Sequence, residues 1–214
     1  SNKKLILFNS HKFTKRSTIY VNDSNCSVKN SSFENSELFG INLVKSNDFF
    51  IENNKFSNIK KCAIMIQENS RGTVDKNTFI DINGNGVTVF DSDVLIKNNV
   101  FNRIKSPAIG IGQKSATSIQ FNKISNIDSN AISIRNTNHA DVEGCEIHNA
   151  KLSGISSSNT NSVFIHNNKI LSAGTIVNAK LETIVTSGMN GFPAEIVISN
   201  FEIPEIKSSQ LMQT

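Results

Sequence analysis

Tryptophan is missing from this 214-residue chain, tyrosine occurs once, at Tyr20, and proline only three times. Surfaces that bind nucleic acids interleave basic side chains with stacking aromatics. Here the densest basic stretch (Lys3, Lys4, Lys12, Lys15, Arg16) has no such partners, and the other lysines are spread along the chain. No nucleic-acid partner is expected. The three cysteines, Cys26, Cys62 and Cys145, lie far apart with no CxxC or Cys/His spacing. An odd, scattered set argues against a disulfide framework and against a metal centre, and predicts free buried thiols. No metal or other cofactor is expected. Long apolar runs are lacking too. Nothing approaches the roughly 18 residues of a membrane helix, and LILF at 5–8 is too short for the core of a signal peptide.

Charge is also scarce, with 19% charged residues and a net charge of +4. Hydrophobic residues reach only 37%, so much of the chain is polar but uncharged, chiefly Asn and Ser. Those are residues of tight turns. The composition therefore predicts a turn-rich fold rather than disorder, with length for one sizeable core.

What is present is a repeat. Val28, Ile51, Val74, Ile96, Ile119, Val142 and Ile165 follow one another at spacings of 23, 23, 22, 23, 23 and 23 residues, and Ile6 extends the series backwards. Three residues after these anchors stand Ser31, Asn54, Asn77, Asn99, Asn122, Cys145 and Asn168. Five after them stand Phe33, Phe56, Phe79, Phe101, Ile124, Ile147 and Ile170, and twelve after the first six of them only Gly or Ala. Apolar residues alternate inside each unit, as in SIQF and AISIR, the period-two pattern of a strand.

Each unit thus predicts three short strands separated by Asn, Gly and Ser. A unit of this length fits one turn of a parallel β-helix whose coils stack about 4.8 Å apart. Aligned columns then become stacks: Phe on Phe, Ile on Ile, Asn on Asn. Asparagine tolerates the left-handed backbone of a sharp corner, and identical Asn side chains one coil apart can bond as a ladder.

The V/I-x-N-N-x-F phrase with its downstream A/G-I-x-I strand resembles the right-handed parallel β-helix, or pectin-lyase-like, superfamily over residues 5–180. The resemblance implies an all-β, single-stranded right-handed parallel β-helix of about eight coils at 1–180. Residues 181–214, with Pro193, Pro204 and the strand-like EIVIS, are expected to form an irregular last coil and C-terminal cap. It also implies polysaccharide lyase, epimerase or glycoside hydrolase chemistry in a groove beside the A/G-I-x-I sheet, and favours a secreted or cell-surface location.

Outward positions on that sheet carry one charge and no carboxylate pair, whereas glycosidic-bond hydrolysis uses two. The superfamily's D-P-H-D, N-T-D and G-H-G signatures are missing. RIK at 103–105 matches the third polygalacturonase motif in letters but lies at a corner. Binding is therefore the expected role of Gln67, Phe90, Gly110, Gly112, Ser133 and Arg135. Gly110 and Gly112 would leave a bare floor, Phe90 would offer an apolar platform, and Arg135 a two-pronged donor for a carboxylate or sulfate. Three coils separate Gln67 from Arg135, about 14 Å.

Elsewhere, the Glu52–Asp75 column is flanked by lysines, as in a compensated cross-strand ladder. The DSD at 91–93 is a fragment of a calcium-loop pattern. The alternative site is Asp141, Glu143 and His166, where an imidazole beside carboxylates could act as a base or a metal ligand. Glu146 and His148 fall past the corner. The expected ligand is an extended, acidic polysaccharide. The competing readings are a protein-interaction scaffold and a segment of a trimeric virus or phage fibre, the latter hinted at by outward Phe50, Leu95 and Phe164. Oligomeric state is open.

Overall fold

The computed structural model describes the backbone of residues 4–14, 17–171, 184–185 and 195–199, with side chains for 17–171. All regular structure among these residues is β-strand, coiled as a parallel β-helix. Each coil lays down an anchor strand, such as Arg71–Asp75, a strand past the first corner, such as Thr78–Ile82, and a third, such as Val87–Phe90. Successive copies pair in parallel, giving three faces. The third face is an eight-stranded sheet. Strand Asn25–Ser36 runs through the corner and joins the first two faces into one fifteen-stranded sheet.

Sequence columns become physical stacks. Rings of Phe33, Phe56, Phe79 and Phe101 lie nearly parallel, with centroids 4.8, 5.0 and 4.5 Å apart. These spacings are those of neighbouring strands. The apolar anchors and the isoleucines of the third face close the rest of the interior. The three cysteines are free and buried. Burial in this apolar interior pushes their thiols up to about 11 for Cys26 and Cys145, and about 12 for Cys62.

The repeated Asn-Asn pair divides its labour. The first member takes the left-handed corner: Asn30, Asn53, Asn98 and Asn167 have φ between 50 and 55°. The second is buried and bonds along the axis. Asn54 donates to Asn77 at 3.0 Å, Asn77 to Asn99 at 3.1 Å, and Asn99 to Asn122 at 3.0 Å. Cys145 interrupts the ladder, where Asn122 meets only a sulfur at 3.9 Å. The opposite corner carries a ladder of hydroxyls: the Ser46 amide donates to Ser70 Oγ at 2.9 Å, and the Ser70 amide to Ser92 Oγ at 3.1 Å.

One detail differs from the repeat as read. Leu7, not Ile6, pairs with Val28, because the register of Lys4–Thr14 slips between Leu7 and Asn9. In the segment expected to form an irregular last coil and cap, Ile184–Val185 pairs with Ile155–Ser158, and Glu195–Ser199 lies beside Ser162–His166. Those pieces continue the sheets. No helix among the described residues is long and apolar enough to cross a membrane.

Candidate functional site

Strands Ile64–Gln67, Val87–Phe90, Ile109–Gly112 and Ile132–Arg135 build the third face, each with two isoleucines or valines pointing in. Their outward residues fall into two columns. One reads Met65, Thr88, Gly110 and Ser133; the other carries Gln67, then Phe90, Gly112 and Arg135 in register. The candidate binding residues are therefore brought onto one surface.

The first column is closed. Thr88 and Ser133 are buried, and Asn85 folds from its turn over the face to donate to Thr88 Oγ1 at 2.8 Å. The thiol of Cys62 approaches the same hydroxyl at 3.3 Å. A Cβ added at Gly110 would lie 2.8 Å from the Asn85 amide nitrogen. The bare floor expected at Gly110 is thus already covered by a turn side chain, which strand alternation could not reveal.

The second column is partly open: Gln67 and Phe90 are half-buried, Gly112 is buried and Arg135 is exposed. The floor at Gly112 is not bare either: a Cβ there would meet one edge of the Phe90 ring, Cε1 at 2.9 Å and Cδ1 at 3.1 Å. Glycine at 112 leaves room for that edge. One coil further, Arg135 is exposed. Of the three arginines with described side chains, Arg71 is paired with Asp93 at 2.7 Å and Arg103 with Asp81 at 2.6 Å, while Arg135 has no carboxylate partner. Gln67 donates to Asn42 at 3.3 Å and bounds the platform on its other side.

The alternative constellation lies on the first face. His166 Nε2 stands 2.8 Å from Asp141, and its Nδ1 stands 3.9 Å from Glu143. Gln120 donates to Glu143 at 3.5 Å. As expected from the corner, Glu146 and His148 belong to the next face, where they pair with each other at 3.0 Å. The His148 contact, aided by Lys123 and Lys169, holds the Glu146 carboxyl below its usual range. Among the described residues no group of three or more His, Cys, Asp or Glu is arranged to hold a metal ion.

Other singled-out residues are structural. Glu52 accepts from Lys29 at 2.7 Å, which lowers its pKa, and Asp75 accepts from Asn98 at 2.8 Å. Asp93 of the DSD stretch is engaged by Arg71. The outward column of Phe50, Leu95 and Phe164 is interrupted by Thr73, Ser118 and Asp141, so it is not a continuous apolar stripe.

One concavity was not anticipated: a groove of about 720 Å³ along the second corner, lined in part by Arg103, Lys105, Asn126, Asp128, Asn149 and Lys151. Its trace in the sequence is the recurrence of Asn35, Asn58, Asp81, Asn126 and Asn149 seven residues after the anchors, with Arg103 in the same column. All six have left-handed backbones, with φ of 53–57°.

The family model described as "Right handed beta helix region" matches residues 1–122 and 107–191. The chain belongs to this family. No curated protein matches the sequence. Among solved structures, an alginate lyase from Paenibacillus sp. str. FPU-7 superposes with a TM-score of 0.53 at 12% identity, over 88% of this chain and 78% of that one. A periplasmic alginate epimerase double mutant gives a TM-score of 0.49 at 12% identity, over 86% of this chain and 50% of its own. The A-module of a mannuronan C-5 epimerase from Azotobacter vinelandii gives 0.35 at 9%, over 95% and 89%. At such identity the lyase shares the fold, and its chemistry is not transferred by the likeness.

Proposed function

We propose that the protein binds an extended acidic polysaccharide along the more open column of the third face, across Gln67, Phe90 and Arg135. The observation that carries the reading is Arg135, an exposed guanidinium without a carboxylate partner among the described residues, two coils from Phe90, whose ring edge abuts the intervening Gly112. An aromatic ring can pack against the C–H side of a sugar, and the guanidinium offers two parallel donors to a carboxylate or sulfate. The alginate-acting lyase that shares the fold supports this ligand class. Ser133, Gly110 and Gly112, being buried, support the sheet beneath the ligand rather than touch it.

The test is calorimetric titration of oligomannuronate and oligogalacturonate into the parent, Arg135→Ala and Phe90→Ser. Losing a charge-assisted bidentate contact weakens binding about tenfold or more, with an affinity that falls as salt rises. If both variants bind like the parent, the third face is not the site, and Asp141, Glu143 and His166 become the surface to mutate.

A further inference from the structure

We propose that the groove along the second corner is a second binding site, for a sugar chain that presents one acidic group to the wall at every other residue. The ligand class rests on the reading above; the location rests on the groove itself.

Lys105, Asp128 and Lys151 occupy equivalent positions on successive coils. Their amides donate to the carbonyls of Ile82, Ile104 and Ile127 at 2.9, 2.9 and 2.8 Å, which fixes the row along the axis. All three side chains are exposed, and none forms an ion pair among the described residues. The same column closes on itself two coils earlier, where Lys60 meets Glu37 at 2.8 Å. Pairing between adjacent coils is therefore sterically allowed here, and the lysine–aspartate–lysine row is left open.

The facing wall is already satisfied. Arg103 grips Asp81 through two bonds of 2.6 and 2.8 Å, which holds that carboxyl below its usual range and leaves the guanidinium engaged. Asn126 donates to Asn102 at 2.8 Å, and Asn149 to Asn126 at 3.1 Å. The recognition elements of the groove are thus the two free ammonium groups and the carboxylate between them.

Two coils set Lys105 and Lys151 about 10 Å apart. In an extended sugar chain with twofold character, successive residues face opposite ways, so substituents on one side recur at every second residue. A uronate chain of that shape would lay one carboxylate on each lysine. Asp128 would then accept hydroxyl hydrogen bonds from the sugar between them, and its charge would repel a chain bearing acid on every residue of the same side. Both groups are charge-assisted partners.

The experiment titrates oligomannuronates, dimer to hexamer, into the parent and into Lys105→Ala, Lys151→Ala, Asp128→Asn and Arg135→Ala. All four residues but Asp128 are exposed cations without an ion-pair partner, and Asp128 is equally exposed, so each variant is expected to fold. The proposal expects each lysine variant to weaken binding about threefold or more, Asp128→Asn not to weaken it, and affinity to step up from dimer to trimer, the shortest chain that reaches both lysines. Parent-like binding by both lysine variants overturns the groove. If that occurs while Arg135→Ala loses affinity, only the groove falls. If the lysine variants lose affinity while Arg135→Ala does not, the groove stands and the third-face reading falls. Equal binding of a neutral cello-oligosaccharide, or no binding of any oligomannuronate, overturns both.

Discussion

Replacing Asn99 by Ala tests the ladder at its best-bonded rung. The Asn99 carboxamide oxygen accepts from the Asn77 amide at 2.8 Å and from Asn77 Nδ2 at 3.1 Å. Its nitrogen donates to Val74 O at 3.0 Å, Lys97 O at 2.8 Å and Asn122 Oδ1 at 3.0 Å. Some of these partners keep other bonds. Asn77 Nδ2 still donates to Ile51 and Asp75, and Asn122 Oδ1 still accepts the Asn99 amide at 3.0 Å. The Asn77 amide loses its acceptor, in a position with no solvent exposure. An orphaned buried donor costs about 1–3 kcal/mol, and each lost bond adds a net fraction of about 1 kcal/mol. Asn99→Ala should therefore lose about 3 kcal/mol, read as a lowered urea midpoint at unchanged slope.

The same column supplies a control of opposite sign. Cys145 approaches Ile119 O at 3.7 Å and Glu143 O at 3.5 Å, the carbonyls equivalent to those Asn99 bonds well, and it offers Asn122 only sulfur. Sulfur is a weak acceptor. Cys145→Asn restores both sets of bonds and should gain about 1 kcal/mol. Asn99→Ala melting like the parent, or Cys145→Asn melting below it, refutes the ladder as a source of stability.

Thr117 and Thr137 bury hydroxyl oxygens with no hydrogen-bond partner, so replacing either by isosteric Val should raise stability by about 1 kcal/mol in the same melts. Phe121 holds a left-handed corner at φ 53° where other coils place Asn; Phe121→Asn should raise the urea midpoint by about 1 kcal/mol equivalent, whereas Gly144→Ala should lower it, since a Cβ there lies 2.5 Å from the Phe121 ring. The three thiols, raised from 9.0 to about 11–12, should resist a disulfide reagent near pH 8 in the native protein and react on unfolding. Because their folded values lie above the unfolded one, this contribution is complete below pH 9 and lost as pH rises toward 11–12. Alkaline melts of the parent against Cys62→Ala check it, the variant losing less stability across that window.

The interior was legible because each of its positions recurs. A stack of Phe or Ile at a fixed phase has one geometric reading, and the Asn-Asn pair marks its own corner. What escaped the sequence lies where position, not residue type, dictates the backbone. Lys76 and Phe121 take the same left-handed corner as Asn53, with φ of 54, 53 and 54°, because the coil must turn there whatever the side chain. Arg103 does the same at the second corner. On the third face, alternation gives the outward columns but not their exposure. Alternation says which way Thr88 and Gly110 point, whereas Asn85 and Cys62, outside the strand pattern, decide whether solvent reaches them. The open Lys105–Asp128–Lys151 row was invisible for a similar reason, since a period says which charges are neighbours and not whether their heads meet.

That difference has a direction along the molecule. Among the described residues every lysine or arginine ion pair lies between Lys29 and Arg103: Lys29–Glu52, Lys45–Glu68, Lys60–Glu37, Arg71–Asp93 and Arg103–Asp81. Beyond it Lys105, Lys114, Lys123, Arg135, Lys151 and Lys169 form none. Exposed pairs add little to stability, so their loss costs the fold almost nothing. An unpaired cation in a fixed register is, however, a different partner for an incoming anion, because no internal carboxylate must first be displaced. Lys55, Lys61, Lys76 and Lys97 are unpaired on the earlier coils as well, so open cations run along the whole helix, but among the described residues beyond Arg103 no lysine or arginine is paired at all. Both proposed sites take their unpaired cations, Arg135 on the third face and Lys105 and Lys151 at the second corner, from the coils where an acidic chain would meet no internally paired lysine or arginine.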